Sequence, residues 1–237
     1  FYSMQEKADK NPSSAQPAEK EFTNNYDYIA THYQSVIGIH ISEKLSGTFS
    51  SSTKGSQDVI KRTGKRIDVV NSLNLTAGLG LIVLRAARAL EAGASHQEVM
   101  DLLPQWISKT HVNVSVQTLK YIIRSGRVSP LKSFVARTLD LKPIISVDQE
   151  GKAILASKSF SERGCMKKLM NKYASLLKKQ KVWEYAITHA NNPEAAGWFA
   201  QQMELITGRK PAFIDHASPA IVANVGPGMT CISLMLD

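Results

Sequence analysis

Ile41-Ser42-Glu43-Lys44-Leu45-Ser46-Gly47-Thr48-Phe49-Ser50-Ser51-Ser52 follows directly on the apolar run Ser35-Val36-Ile37-Gly38-Ile39-His40. The earlier run reads as a buried strand. Beyond the small-residue turn, the spacing of Val59 and Ile60 and the lack of proline suit a helix. A strand, a tight turn and a helix start bring backbone N–H groups and hydroxyls to one spot, which favours an anion. The hydroxyls of Ser46 and Thr48 can bond a carboxylate or phosphate, and Gly47 lets a ligand approach the backbone closely. The same residues also make an ordinary N-cap, and on this stretch alone both readings stand.

Working outward, alternating strand and helix patterns give an α/β fold. Residues 1–34 are polar, with a loop over Asn11–Pro17, where two prolines exclude helix and central strand. A short helix over Phe22–Tyr33, a strand at 36–41 and a helix over about 48–61 come next. Ile67–Asn71 reads as a strand and Thr76–Ala92 as a helix stopped by Gly93. Ser95 with Glu98 forms a capping box for a further helix to about Ser108. This alternation predicts a mainly parallel sheet with helices on both faces.

The second half reads differently. Val112–Val116 alternates like a half-exposed strand, and Leu119–Arg124 suits a short helix. Lys142–Val147 and Ala153–Ala156, joined by Asp148-Gln149-Glu150-Gly151, form a hairpin. A basic helix, a strand at Tyr185–His189, a helix from Glu194 to Thr207, and strands at Ala212–Asp215 and Thr230–Leu236 complete a second α/β domain with a mixed sheet. The expected domains are 1–110 and 111–237, with the ligand site between them.

At 237 residues and 43% hydrophobic content the chain can bury substantial cores. No run approaches the roughly 20 apolar residues of a membrane span, so no stable membrane insertion is expected. Cys165 and Cys231 have no metal or disulfide spacing, and free thiols in a cytoplasmic protein are the expectation. The formal charge is +9. Much of the excess falls on Lys167, Lys168, Lys172, Lys178, Lys179 and Lys181, read as one amphipathic helix that is either a solvated face or a docking surface for an acidic partner. Nucleic acid is not expected, because no zinc-finger, aromatic-strand or heptad-linked basic pattern accompanies the charge. Phe1-Tyr2-Ser3 lacks an initiator Met and no signal peptide is visible, so a piece of a longer protein is expected.

Catalytic patterns are missing. There is no GxxxxGK[ST] and no GxSxG, and the six histidines show no HExxH or metal-pair spacing. No cofactor, metal site or catalytic residue is therefore expected. His189 and His216 end predicted strands and could edge a pocket, while Trp106, Trp183 and Trp198 read as packing residues.

The order of motifs resembles the DegV family. Ser-Ser-Ala-Gln-Pro (13–17), Ser-Glu-Lys-Leu-Ser-Gly-Thr-Phe (42–49) and Val-Val-Asn-Ser (69–72) lead into Ala-Gly-Leu-Gly (77–80). Thr-Leu-Lys-Tyr-Ile-Ile-Arg-Ser-Gly-Arg-Val-Ser (118–129), Leu-Lys-Pro-Ile-Ile (141–145) and Val-Gly-Pro-Gly (225–228) extend the match over essentially the whole chain. The resemblance implies a bacterial, non-catalytic protein of two α/β domains that holds a long-chain fatty acid between them. Some members present the acyl carboxylate to a separate fatty acid kinase. By resemblance, carboxylate contacts fall on Ser14 and on Ser46, in the turn with Gly47 and Thr48. Arg127 serves the pocket rim or the partner. Where the family carries a His before its last Gly-Pro-Gly, this chain has Asn224, which donates a hydrogen bond but has no titratable proton. The family's opening strand and Asp-Ser-Thr turn are missing, so the first domain reads as N-terminally truncated. The abrupt start also admits a kinase fusion. Read without the resemblance, the Ser46-Gly47-Thr48 turn allows another class of function, an enzyme acting on a small anionic substrate.

Overall fold

The structure, a computed structural model, describes residues 1–7, 12–127 and 141–237. Asn11 of the expected loop, and Val128 and Ser129 at the end of the Arg127 motif, lie outside the described residues. In chain order the elements are α1 (Tyr2–Lys7), α2 (Glu19–His32), β1 (Ser35–His40), α3 (Thr48–Thr63), β2 (Arg66–Asn71), α4 (Thr76–Glu91), α5 (His96–Ser108), β3 (Thr110–Ser115) and α6 (Lys120–Ser125). They continue as β4 (Lys142–Val147), β5 (Ala153–Ser159), α7 (Glu162–Leu177), β6 (Val182–His189), α8 (Pro193–Thr207), β7 (Ile214–His216), α9 (Pro219–Val225) and β8 (Thr230–Leu236).

β1 and β2 form a parallel two-stranded sheet, in register from Ser35 opposite Arg66 to His40 opposite Asn71. Tyr26 and Ala30 of α2 and Val59 of α3 pack on Ile67. Ile37, Ile39 and Val70 instead meet the apolar stripe of α4, Ala77, Leu81, Ile82 and Ala86. The capping box of α5 is complete, with Ser95 and Glu98 bonded reciprocally.

The second sheet is mixed, in the order β5-β4-β3-β8-β6-β7, antiparallel except for the β6–β7 pair. One face packs against α7 and α8 through Ile144, Tyr185, Ile187, Ile232 and Leu234. The other face is divided. Toward β6 and β8 it receives α4, through Ala186 and Met235. Toward β3 and β4 it presents Val112, Val114 and Ile145 to α6 and α9. α4 therefore lies between the two sheets. Arg85 locks it there, its guanidinium 5.3 Å from the Trp106 ring centroid and 4.9 Å from that of Trp183. Trp198 packs edge-on against Phe199.

Several expectations need correction. β3 is buried along nearly its whole length, because its two faces meet different layers and only His111 is half-exposed. Helix α7 stops at Leu177, so Lys178, Lys179 and Lys181 lie in the connection to β6. No apolar residue follows Leu177 until Val182, so nothing extends the buried stripe of the helix. Lys172 does not face solvent fully but reaches inward to Asn113 Oδ1 at 3.2 Å. β7 begins at Ile214, although Ala212 already donates to the Tyr185 carbonyl at 2.8 Å. The alternation of the first half yields only one two-stranded parallel sheet. Helices α1 and α9 had not been expected. Ser218-Pro219 was the available signal for α9, since proline suits the first helical position.

Candidate functional site

A cavity of about 980 Å³ lies between the open half of the six-stranded sheet and the loops of the first half. This is the upper part of the range for small-molecule pockets. Its floor follows from strand alternation. Val112 and Val114 of β3, Ile145 and Val147 of β4, and Ala153 of β5 point to the same side, with Val114 opposite Ile145 and Val147 opposite Ala153. Leu75 before α4, Ile122 of α6, and Ile221 and Val225 of α9 complete the apolar walls.

Part of the polar lining forms a connected arc; Glu43 and Lys44, paired at 3.4 Å, and Ser125, Ser146 and Ser218 also line the cavity. Asn224 Nδ2 donates to Ser14 Oγ at 3.3 Å and to the Ala220 carbonyl at 2.6 Å. Two residues after Ser14, the Gln16 amide lies against the backbone of Gly47, where a methyl group would overlap it. Gln16 Nε2 also donates to Ser51 Oγ at 3.1 Å, one turn into α3. Ser46 Oγ and Thr48 Oγ1 are 2.8 Å apart, and the Thr48 N–H donates to Ser46 Oγ at 3.3 Å. Gly47, the N-cap of α3, has no side chain to cap it, so beyond the Thr48 N–H held by Ser46 the arc borders first-turn N–H groups that have no partner within the helix. Ser14, Ser46, Gly47, Thr48 and Asn224 thus meet along one side of the cavity. Arg127 also lines it but stands apart, exposed and turned back onto the Ser125 carbonyl at 2.9 Å.

Ser42 ties the turn that carries Ser46 to the second sheet. Its fully buried hydroxyl donates to the Gly151 carbonyl at 2.8 Å, and Leu45 and Ser46 donate their N–H groups to the Ser42 carbonyl. Gly226 N–H closes α9 on the Val222 carbonyl, and Gly228 N–H bonds Ala190, which fixes the end of the helix bearing Asn224.

The histidines take no part in this lining. His40 Nε2 lies 2.6 Å from Ser52 Oγ, which is also 2.6 Å from the Tyr26 hydroxyl, and burial lowers the His40 pKa. His96 bridges Ser35 Oγ at 2.8 Å and Asp68 Oδ2 at 2.7 Å. This Ser-His-Asp chain staples α5 to the edge of the small sheet, and Arg66 also binds Asp68. His189 and His216 pack with ring centroids 4.6 Å apart. Among the described residues no group of three acidic, His or Cys side chains is placed to hold a metal ion. No helix among them is long and apolar enough to cross a membrane.

Sequence patterning marks neither Gln16 nor the α9 wall as part of the site; within Ser-Ser-Ala-Gln-Pro, only the contact with Gly47 gives Gln16 a role. The floor was visible only as the alternation of Val112, Val114 and Val116, whose burial depends on the sheet packed above.

The whole chain, residues 1–237, matches the profile of a family described as uncharacterised protein, DegV family. A DegV domain-containing protein of Deinococcus radiodurans is 33% identical over 136 residues, 57% of this chain and 47% of that protein, so the matched segment spans about half the relative's length. A solved structure of a DegV family protein from Thermus thermophilus, described by its fatty acid binding, superposes with a TM-score of 0.85 at 25% identity, covering 95% of this chain and 79% of that one. A stearic acid-binding protein from Eubacterium ventriosum shares the fold with a TM-score of 0.90 at 17% identity, over 99% of this chain and 81% of that one.

Proposed function

The chain belongs to the DegV family, and on that premise we propose that it binds a long-chain fatty acid in the cavity between its two lobes, residues 1–110 and 111–237. The observation that carries this reading is the apolar floor of the cavity with the Ser14–Ser46–Asn224 arc along one side of it. The tail lies over Val112, Val114, Ile145 and Val147. The carboxylate sits at the arc, taking hydrogen bonds from the hydroxyls of Ser14 and of the Ser46–Thr48 pair, with Asn224 holding the Ser14 hydroxyl in place, the Gly47 backbone in close approach and Arg127 at the rim.

The energetics divide the same way. About 15 methylenes at about 0.8 kcal/mol each give about 12 kcal/mol of gross driving force before ordering costs. The tail supplies affinity. The arc supplies orientation, because a desolvated carboxylate without donors is strongly disfavoured. Neutral hydroxyls and helix-end N–H groups meet that need without a buried cation. The fatty acid binding described for the Thermus thermophilus relative supports the same ligand class.

A carboxylate held at the polar arc by neutral donors suits a protein that hands its ligand on rather than transforms it. The partner in this reading is a separate fatty acid kinase that phosphorylates the presented carboxylate, and the chain itself is non-catalytic. The test is native mass spectrometry of gently purified protein, followed by solvent extraction. The expected result is one acyl chain per protein, and acyl-phosphate formation only when a kinase and ATP are added. Turnover of the acid by the isolated chain would contradict it.

A further inference from the structure

Residues 12–17 cross the polar arc as an extended strap with no regular structure, and Ser14, Ala15, Gln16 and Pro17 line the cavity beneath it. Prolines at 12 and 17 fix two of its backbone φ angles and leave those positions without an N–H donor. Among the described residues, no backbone–backbone hydrogen bond ties it to the sheets or helices beneath. Among the described residues, its side-chain bonds to the body are two, Gln16 to Ser51 and Asn224 to Ser14. The Asn224 bond is long at 3.3 Å, and the same amide is engaged more closely by Ala220. Gln16 is the stronger fastening, since its amide both donates to Ser51 and fills the space left by the missing side chain of Gly47.

We propose that Gln16 is the clasp of this strap, a positioning residue whose release opens the polar end of the cavity and sets the rate at which ligand exchanges. The inference rests on the fatty acid reading and adds to it a residue and a route. A ligand that passes under a strap must wait for it to lift in both directions. Weakening the clasp then speeds entry and exit together. A residue that only contacted the carboxylate would change exit alone.

The test is stopped-flow exchange of a fluorescent long-chain fatty acid with the purified full chain, comparing wild type with Gln16→Ala and with Ser51→Ala. The second variant keeps the Gln16 side chain but removes the hydroxyl it donates to. Loss of one neutral hydrogen bond scales to a change of several-fold, up to about tenfold. Both association and dissociation rates are expected to rise by that factor in both variants, with the dissociation constant moving less than either rate. A wild-type chain that takes up no fatty acid would overturn the ligand reading and the clasp with it. Uptake by wild type with unchanged rates in Gln16→Ala, or a faster dissociation with unaltered association, would overturn the clasp alone.

Discussion

The side-chain amide of Asn224 on α9 donates to the hydroxyl of Ser14 on the strap across 3.3 Å, joining residues 210 apart in sequence. The second half thereby contributes a donor to an arc otherwise built by the first. On the proposed reading, Asn224→Ala releases the Ser14 hydroxyl from the bond that holds it toward the carboxylate. Fatty acid affinity should fall by about 2- to 12-fold, from the about 0.5–1.5 kcal/mol of a single hydrogen bond. Because Asn has no titratable proton, the head-group contribution should be flat from pH 5.5 to 8. Asn224→His should introduce a step in that range. Titrations by fluorescence at several pH values decide both points.

Ser46 stands differently, because its hydroxyl is in hydrogen-bond reach of Thr48 and at the open end of α3. Ser46→Ala should weaken fatty acid binding about 10- to 150-fold, the about 1.5–3 kcal/mol of a hydrogen bond to a charged group. Circular dichroism should show the fold retained. Unchanged retention of palmitate by the purified variant would remove Ser46 from the head-group site.

Gly151 tests the join between the halves. It sits at φ +77° in the β4–β5 hairpin, and a methyl group there would strike the Ser42 hydroxyl. Gly151→Ala should cost roughly 1–3 kcal/mol, combining left-handed strain with displacement of the buried Ser42 bond. Denaturant unfolding gives the value directly, and a loss below about 0.5 kcal/mol would show that this contact is easily replaced.

Acid should destabilise the protein in two separate windows. Burial lowers His40, His111 and His189, with Lys172 adding to the effect on His111, and His216 adding to it on His189 against the opposing Asp215. These rings stay neutral in the folded state below the about 6.5 at which they protonate when unfolded. Their contribution is therefore complete above that pH and declines as pH falls beneath it. Asp68 acts lower. Burial pulls its carboxyl upward, but Arg66 and His96 outweigh that and hold it below the usual carboxylate value. Its contribution is present above about pH 4 and lost on further acidification. Thermal melts should show a falling midpoint from pH 7.5 to 5.5 and a second fall below 4. A midpoint that rises between 7.5 and 5.5 would contradict the first assignment.

Much of the fold was legible because its patterns are local. The capping box at Ser95, the turn at Asp148–Gly151 and the stripe of α4 follow from spacing, and each element stands within a few residues of its expected bounds. What the sequence concealed depends on distant partners. β3 alternates as though one side met water, yet α7 covers the side of Asn113 and Ser115, and the opposite side faces the cavity and its walls. Helix α9 was obscured by its brevity, and its importance comes from Asn224 meeting a strap more than 200 residues away. The Ser-Gly-Thr turn announced itself, whereas Gln16 gained meaning only when its amide was found lying on Gly47.

The most direct measurement is solvent extraction of the protein purified without detergent, with the released molecules identified by mass spectrometry. A single class of long-chain fatty acid, near one per chain, with occupancy reduced in Ser46→Ala, is the predicted result. A protein that yields no acyl chain, fails to take up added palmitate and instead retains a small polar anion would contradict the account at its centre.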